Sequence, residues 1–466
     1  MQPFDKVDQY VDLLCRQIRW KKAHARISEE LTDHIADARD TYIAQGLEEE
    51  EATEKAISDT GDASELGSQL DRVHRPRAQG VLLFAVVGFL LAGILLRLFI
   101  WDDAGRAGML PFTVLPVAIG IVGLFAAYFM DFTLIGKYPK ATYFTVLAIT
   151  VVPLLLSPMI VPGVRMFLMV GRSAFYLSFT ILLFPLALAG VIFRMKNRGY
   201  FGIIVCGLAL ALSGFVAILT PSVSSLLHLM GIGFALIFVA IYMNWFGVSR
   251  YKSFLLVITP AVLPAIIFFV SMGAFRSSRF MAAFNPYSDP LGFGFIAVTT
   301  RRVLRSAEFF APEATVAEYG MSASALPHSI LYSDLFLTAL ISRLGWIAFA
   351  VISVALMIFI IRSFALCMRQ RSDLGFFVAL AVLMTLSAQV LSYIVFNLGF
   401  QLVTPVSLPL ISFGNTAMIV NLVLIGFMLS VFRTGDVVMD KAILPSQERG
   451  KRFVWDDGKL SIDFKP

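Results

Sequence analysis

Asp334 is a lone carboxylate at the head of an apolar run, LFLTALISRLGW, that follows LPHSILYS. An acid beside hydrocarbon is costly unless it is partnered or does work. At a wet boundary with low-dielectric walls a carboxylate gains basicity, so it can take a proton from a hydroxyl. A plainer use is structural: Ser-Asp before an apolar run makes a good helix N-cap, worth about 1 kcal/mol, and the helix N-terminus favours its charge. The two uses are compatible. Arg165, Arg172, Arg279, Arg301, Arg302 and Arg305 fall in segments that the topology below puts on the same side as Asp334. Guanidinium groups suit phosphate oxygens, while a solvated loop facing lipid headgroups would explain Arg301, Arg302 and Arg305 equally well. Asp289, Glu308, Glu313 and Glu318 are the other carboxylates there, with loop solvation the default. His24 and His34, ten apart without a cysteine partner, are poorly placed for a metal.

These residues need a membrane scaffold. Of 466 residues 58% are hydrophobic and 15% charged, far more apolar than an average soluble domain. The chain reads as an all-α, polytopic membrane protein. A span takes roughly 20 apolar residues, and ten candidates run about 80–101, 110–132, 140–161, 173–193, 200–219, 224–246, 252–274, 334–361, 374–397 and 409–432. Lys and Arg concentrate in cytoplasmic loops. With the amino terminus inside, the short inner loops FTLIGKYPK, RMKNRG, GVSRYK and 362–373 carry +2, +3, +2 and +2, against +1 for the short outer loops together. Both termini are therefore expected in the cytoplasm, with loop 275–333 outside and Asp334 opening the eighth span at the outer face. Cys15, Cys206 and Cys367 suggest neither a disulfide framework nor a metal cluster.

Residues 1–77 form a different kind of segment, with 17 acids against 11 Lys and Arg. Phe4, Val7, Val11, Leu14 and Ile18 are spaced by three and four, as are Ile27, Leu31, Ile35, Ala38 and Tyr42, which predicts two helices with apolar stripes. Gly46 and Gly61 sit where helix C-caps belong. The segment resembles the short helical prefix domains of some bacterial permeases and signalling membrane proteins. A solvated helical cap and a regulatory docking module both fit it. The expected organisation is a cytoplasmic prefix 1–77, a ten-span domain 78–433 and a cytoplasmic tail 434–466.

Three blocks of the ten-span domain, and a weaker echo upstream, carry a family resemblance. Leu326–Trp346 is similar to LPE-x-H-T-D-F-I-F-A-x-x-x-E-E-x-G-F of the SEDS family (shape, elongation, division and sporulation), the RodA/FtsW/SpoVE-type cell-wall polymerases, with Asp334 on that family's catalytic aspartate. PVSLPLISFGNTA, Pro405 to Ala417, resembles TGIPLPFISYGGSS and keeps Leu408, Pro409, Ile411, Ser412 and Gly414. RFMAAFNPYSDPLGFGF, from Arg279, resembles the family's start of the large outer loop, and GVRMFLMVGRSAFYLSF, from Gly163, keeps Arg165, Gly171 and Ser178.

The resemblance implies a peptidoglycan glycosyltransferase that polymerises lipid-linked disaccharide at the outer face of the bacterial cytoplasmic membrane, in cell shape, division or sporulation. It implies Asp334 as catalytic base, and substrate binding by Arg165, Arg172, Arg279, Ser412, Gly414 and Asn415. Its implied partner is a single-span, class B penicillin-binding transpeptidase; no nucleic acid is expected. Helix-breaking residues around Pro409 would line the substrate cavity, because freed backbone groups at membrane depth need protein or water to meet them. A divalent cation, Mg or Mn, beside Asp334 is an open expectation, and no nucleotide or organic cofactor is expected. Several family positions differ: Phe179, Ser222 and Ser342 stand where the family has acids, and Tyr393 replaces an Asn, with Asn397 a turn later. Helix packing is the expected role of Tyr393 and Asn397. Two rivals stay open. One is a catalytically degenerate scaffold or regulator of cell-wall synthesis; the other is a lipid or solute transporter.

Overall fold

The computed structural model describes residues 3–74, 79–100, 103–157, 167–170, 173–220, 222–270, 274–310, 315–316, 321–322, 334–401, 406–412, 414–435, 452–456 and 459–463. Contacts divide the chain into one unit of residues 1–78 with 433–438 and another of residues 79–432 with 439–466.

In the first unit the two expected apolar stripes belong to Pro3–Gln17 and Lys21–Ala44, and two further helices follow, Glu49–Thr60 and Ala63–His74. Leu14, Ile18, Ile27, Ile35 and Ala56 meet in its core. Gly61 is the C-cap of the third helix and Gly46 follows the C-cap of the second; both have φ +98°, which glycine adopts without strain. Asp62 caps the fourth helix, its Oδ1 accepting the N–H groups of Ser64 at 2.8 Å and Glu65 at 3.0 Å. These bonds, the Ser64 side-chain contact first, hold the Asp62 carboxyl below its usual range.

The second unit is all-α in its membrane part. Eight helices among the described residues are long and apolar enough to cross a membrane: Gly80–Phe99, Pro139–Leu156, Leu177–Arg194, Gly199–Leu219, Val223–Tyr242, Trp346–Met368, Asp373–Asn397 and Asn415–Thr434. Helices Asp103–Phe129 and Arg250–Val270 lie on two further expected segments. Short antiparallel strands Phe167–Val170 and Ser173–Tyr176 precede Leu177, so the segment expected from 173 becomes helical four residues later.

Two expected spans are corrected. The run 334–361 is not one helix: Phe336–Leu344 ends at Gly345, and the long helix starts at Trp346. Gly345 has φ +82°, and a Cβ there would stand 2.5 Å from the Phe309 carbonyl oxygen. Residues 308–309 press against this break, where Trp346 N–H donates to Glu308 O at 3.1 Å and Ile347 N–H to Phe309 O at 3.3 Å. Only glycine gives that room. The run 409–432 likewise becomes a helix from Asn415 preceded by a buried, non-helical segment 406–412.

Alternate ends of the helices gather into two sets of loops. At one end Asn197 N–H donates to Trp245 O at 2.7 Å, and Lys196 pairs with Asp373 while lying over the Trp245 ring at 5.0 Å. At the other, Arg301 Nε donates to Gly399 O at 2.9 Å and Asn415 Nδ2 to Ala174 O at 3.3 Å. Asp334 belongs to the second end.

Candidate functional site

Asp334 sits half-buried in a turn ahead of the short helix Phe336–Leu344. It is not the N-cap: that position is Leu335, whose side chain makes no capping bond. The helix's first N–H groups are instead met from another helix. Phe336 N–H donates to the Tyr393 hydroxyl at 3.3 Å, and Thr338 N–H to Asn397 Oδ1 at 3.0 Å. Asn397 Nδ2 donates to the carbonyl of Asp334 at 2.9 Å and to that of Tyr393 at 2.9 Å. Tyr393 does pack in the core, with Leu335 and Phe336, but packing is only part of the role of these two residues. Both are fully buried, yet their polar atoms hold the turn that carries Asp334.

Below the turn lies the interrupted segment 406–412, buried throughout. Pro409 cannot supply an N–H and Leu410 takes φ +66°, so the backbone leaves the helix and its polar groups need other partners. Ser412 Oγ accepts the Leu408 N–H at 2.8 Å. Arg97, 4% exposed near the end of the first span, donates from Nη2 to Ile411 O at 2.8 Å and Ser412 O at 2.6 Å, and from Nε to Ile411 O at 3.2 Å. Gly93, one turn earlier, lets that span approach: a Cβ would lie 2.8 Å from Leu410 O. Tyr393 packs in one buried cluster with Leu408 and Ile411 of this segment and with Leu335 and Phe336 beside Asp334.

A second buried network anchors the other end of the segment. Ser407 Oγ donates to Gln389 Oε1 at 3.0 Å, Gln389 Nε2 to Asn421 Oδ1 at 3.0 Å, and Asn421 Nδ2 back to Gln389 Oε1 at 3.2 Å. A polar group at such depth is stable only when bonded, and here the bonds fix an irregular backbone between two spans.

Among the expected site residues, Asp334 and Ser412 lie in segments whose neighbouring residues pack around Tyr393. Asn415 Nδ2 donates to Ala174 O, and Gly414 directly precedes the last span. Arg165 and Arg172 lie outside the described residues, as does Glu318; Arg279 lies in the helix Ala274–Phe284, its side chain outside them. Arg301 is held structurally, bonded to Gly399 O and stacked near Tyr287 and Phe400 at 5.7 and 5.0 Å. Sequence reasoning missed Arg97, although a cation in the apolar run GVLLFAVVGFLLAGILLRLFI is the signal that marks a functional position in a span. No three His, Cys, Asp or Glu side chains among the described residues could hold a metal. Among the described residues, the side chains bonded to the Asp334 turn are the phenol of Tyr393, the hydroxyl of Thr338 and the amide of Asn397, which do not fit the hard oxygen shell of Mg or Mn. No step below runs through a metal.

A family model described as "Cell cycle protein", covering FtsW, RodA and SpoVE, matches residues 81–436. The protein described as "Probable peptidoglycan glycosyltransferase FtsW" from a Geobacter species is 25% identical over 222 residues, 48% of this chain and 58% of that one. Its namesake from Thioalkalivibrio sulfidiphilus is 27% identical over 263 residues, 54% of this chain and 62% of that one. The matches thus span 58% and 62% of the length of these relatives. Among solved structures, a chain from "Structural coordination of polymerization and crosslinking by a peptidoglycan synthase complex" is similar with TM-score 0.59 at 18% identity, over 76% of this chain and 98% of that chain. Rod shape determining protein RodA of Thermus thermophilus gives TM-score 0.50 at 16% identity, over 77% and 97%. At these identities the likeness is one of fold.

Proposed function

Because this chain belongs to the FtsW/RodA/SpoVE family of cell cycle proteins, we propose that it is a peptidoglycan glycosyltransferase joining lipid-linked disaccharides at the outer face of the bacterial cytoplasmic membrane. One observation carries the reading: Asp334 is held by Asn397 at the loop end of the bundle, next to a buried non-helical segment bearing Ser412. The loop charges put that end outside and both termini in the cytoplasm. The acidic residues 1–77 form the cytoplasmic prefix in this arrangement.

Asp334 takes the proton of the acceptor sugar hydroxyl as its oxygen bonds to the donor's anomeric carbon. The bond from that carbon to the diphosphate oxygen breaks, and polyprenyl diphosphate leaves. Tyr393 and Asn397 hold the base in reach, which is the positional part of the rate gain. Arg165, Arg172 and Arg279 meet the diphosphate charge. Polymer made this way needs crosslinking, so a class B penicillin-binding transpeptidase is the partner.

The scaffold reading is favoured by one local finding. Ser222 and Ser342, where the family has acids, are absorbed into helix hydrogen bonds: Ser222 caps Val223–Tyr242 by accepting the Ser225 N–H at 3.2 Å, and Ser342 Oγ donates to Ala339 O at 2.9 Å. Purified chain given lipid-linked disaccharide, with and without a transpeptidase, separates the two. Glycan on a gel supports the polymerase, and its absence under every condition leaves the scaffold.

A further inference from the structure

We propose that Arg97 is the positioning residue of the Asp334 site, holding the Ile411 and Ser412 carbonyls so that Ser412 and Tyr393 stay registered against the turn at Asp334. The inference rests on the glycosyltransferase reading for its kinetic consequence and on geometry alone for its structural one.

A guanidinium 4% exposed in a membrane span needs bonds for its donors, and three of those recorded go to just two carbonyls, Ile411 O and Ser412 O. Those carbonyls belong to a segment that no helix supports, since Pro409 and the φ +66° of Leu410 interrupt it. The chain of contacts then runs inward. Ser412 Oγ accepts the Leu408 N–H at 2.8 Å, closing the segment on itself. Leu408 and Ile411 pack in one buried cluster with Tyr393, Leu335 and Phe336, and the Tyr393 hydroxyl accepts the Phe336 N–H two residues beyond Asp334. Gly93 admits the first span to within contact of Leu410 and Ile411, so Arg97 reaches both carbonyls from one helix face. The fork geometry of arginine suits two adjacent acceptors, whereas a lysine ammonium offers one point of charge. Arg97 itself touches no reacting atom in this scheme.

The test uses the full-length protein in detergent and compares Arg97→Met, Arg97→Lys and wild type by two readouts. The first is hydrogen–deuterium exchange of the amides of Leu408, Ile411, Ser412, Phe336 and Thr338. Arg97→Met should speed exchange in both groups while amides of Gly199–Leu219 exchange as in wild type, and Arg97→Lys should give a smaller increase. The second is turnover of lipid-linked disaccharide: Arg97→Met should lose about a hundredfold in kcat, the scale expected when a reacting group is misplaced by about an ångström. KM should stay within about twofold, and Arg97→Lys should recover part of the loss. Unchanged exchange at Phe336 and Thr338 in Arg97→Met overturns the inference, as does an equal loss of protection throughout the protein in both variants. If wild type makes no glycan while the exchange pattern appears as stated, the positioning holds and the polymerase reading falls.

Discussion

Asn397 shows at the scale of one residue how the site is held. Its amide bonds the Asp334 carbonyl, the Tyr393 carbonyl and the Thr338 N–H, while its own carbonyl lies 3.0 Å from the Thr338 hydroxyl. Asn397→Ala leaves these groups buried and unmet, a cost of about 1–3 kcal/mol. The expected outcome is a lower thermal midpoint in detergent together with at least a tenfold fall in kcat, since a loosened turn misplaces the base by roughly the distance that matters. Asn397→Asp should fare no better, because it removes the donor and buries a charge. Sequence picked out Asp334 as a base that could also cap its helix, and the capping part does not hold. The true cap comes from a residue 59 positions away, and no local pattern records that. Arg97 was legible as a cation in an apolar run, but its acceptors, 314 and 315 positions along the chain, were not.

At the scale of elements, the function depends on where helices stop. Gly345 separates the helix after Asp334 from the long span, and 308–309 fills the space that glycine leaves. Gly345→Ala adds a methyl in a left-handed conformation against the Phe309 carbonyl. Strain of this sort costs about 1–3 kcal/mol, and the N–H groups of Trp346 and Ile347 should lose protection first in hydrogen exchange. Hydropathy saw one long span here because the polar pair Ser342 and Arg343 is too short to end so long an apolar run. It placed the helices on either side of the short loops well, where Arg198, Ser222 and Ser372 stand at helix starts. The interruption at 406–412 was anticipated from Pro409 and Gly414, but the Gln389–Ser407–Asn421 network that anchors it has no spacing signature, since its members lie on separate elements.

The whole molecule joins an acidic helical unit to a membrane domain, and the acidic unit carries a helix cap that responds to pH. Asp62 caps its helix more strongly when ionised, and its carboxyl is held below the ordinary range. Its contribution is therefore present above the unfolded carboxylate value of about 3.9 and is lost as pH falls through the lower folded value. Exchange of the Ser64 and Glu65 amides should rise with acid in wild type. Asp62→Asn, which caps without ionising, should flatten that rise. Composition told the two units apart from charge alone, whereas the third and fourth helices of the first unit were not separated, although Leu66 and Leu70 of the fourth pack on the same core. The central claim concerns Asp334. Purified wild type and Asp334→Asn, each with lipid-linked disaccharide and a transpeptidase partner, should differ completely: glycan chains from the first and none from the second, with equal expression and partner binding. Equal chains from both would contradict the assignment of Asp334 as the base.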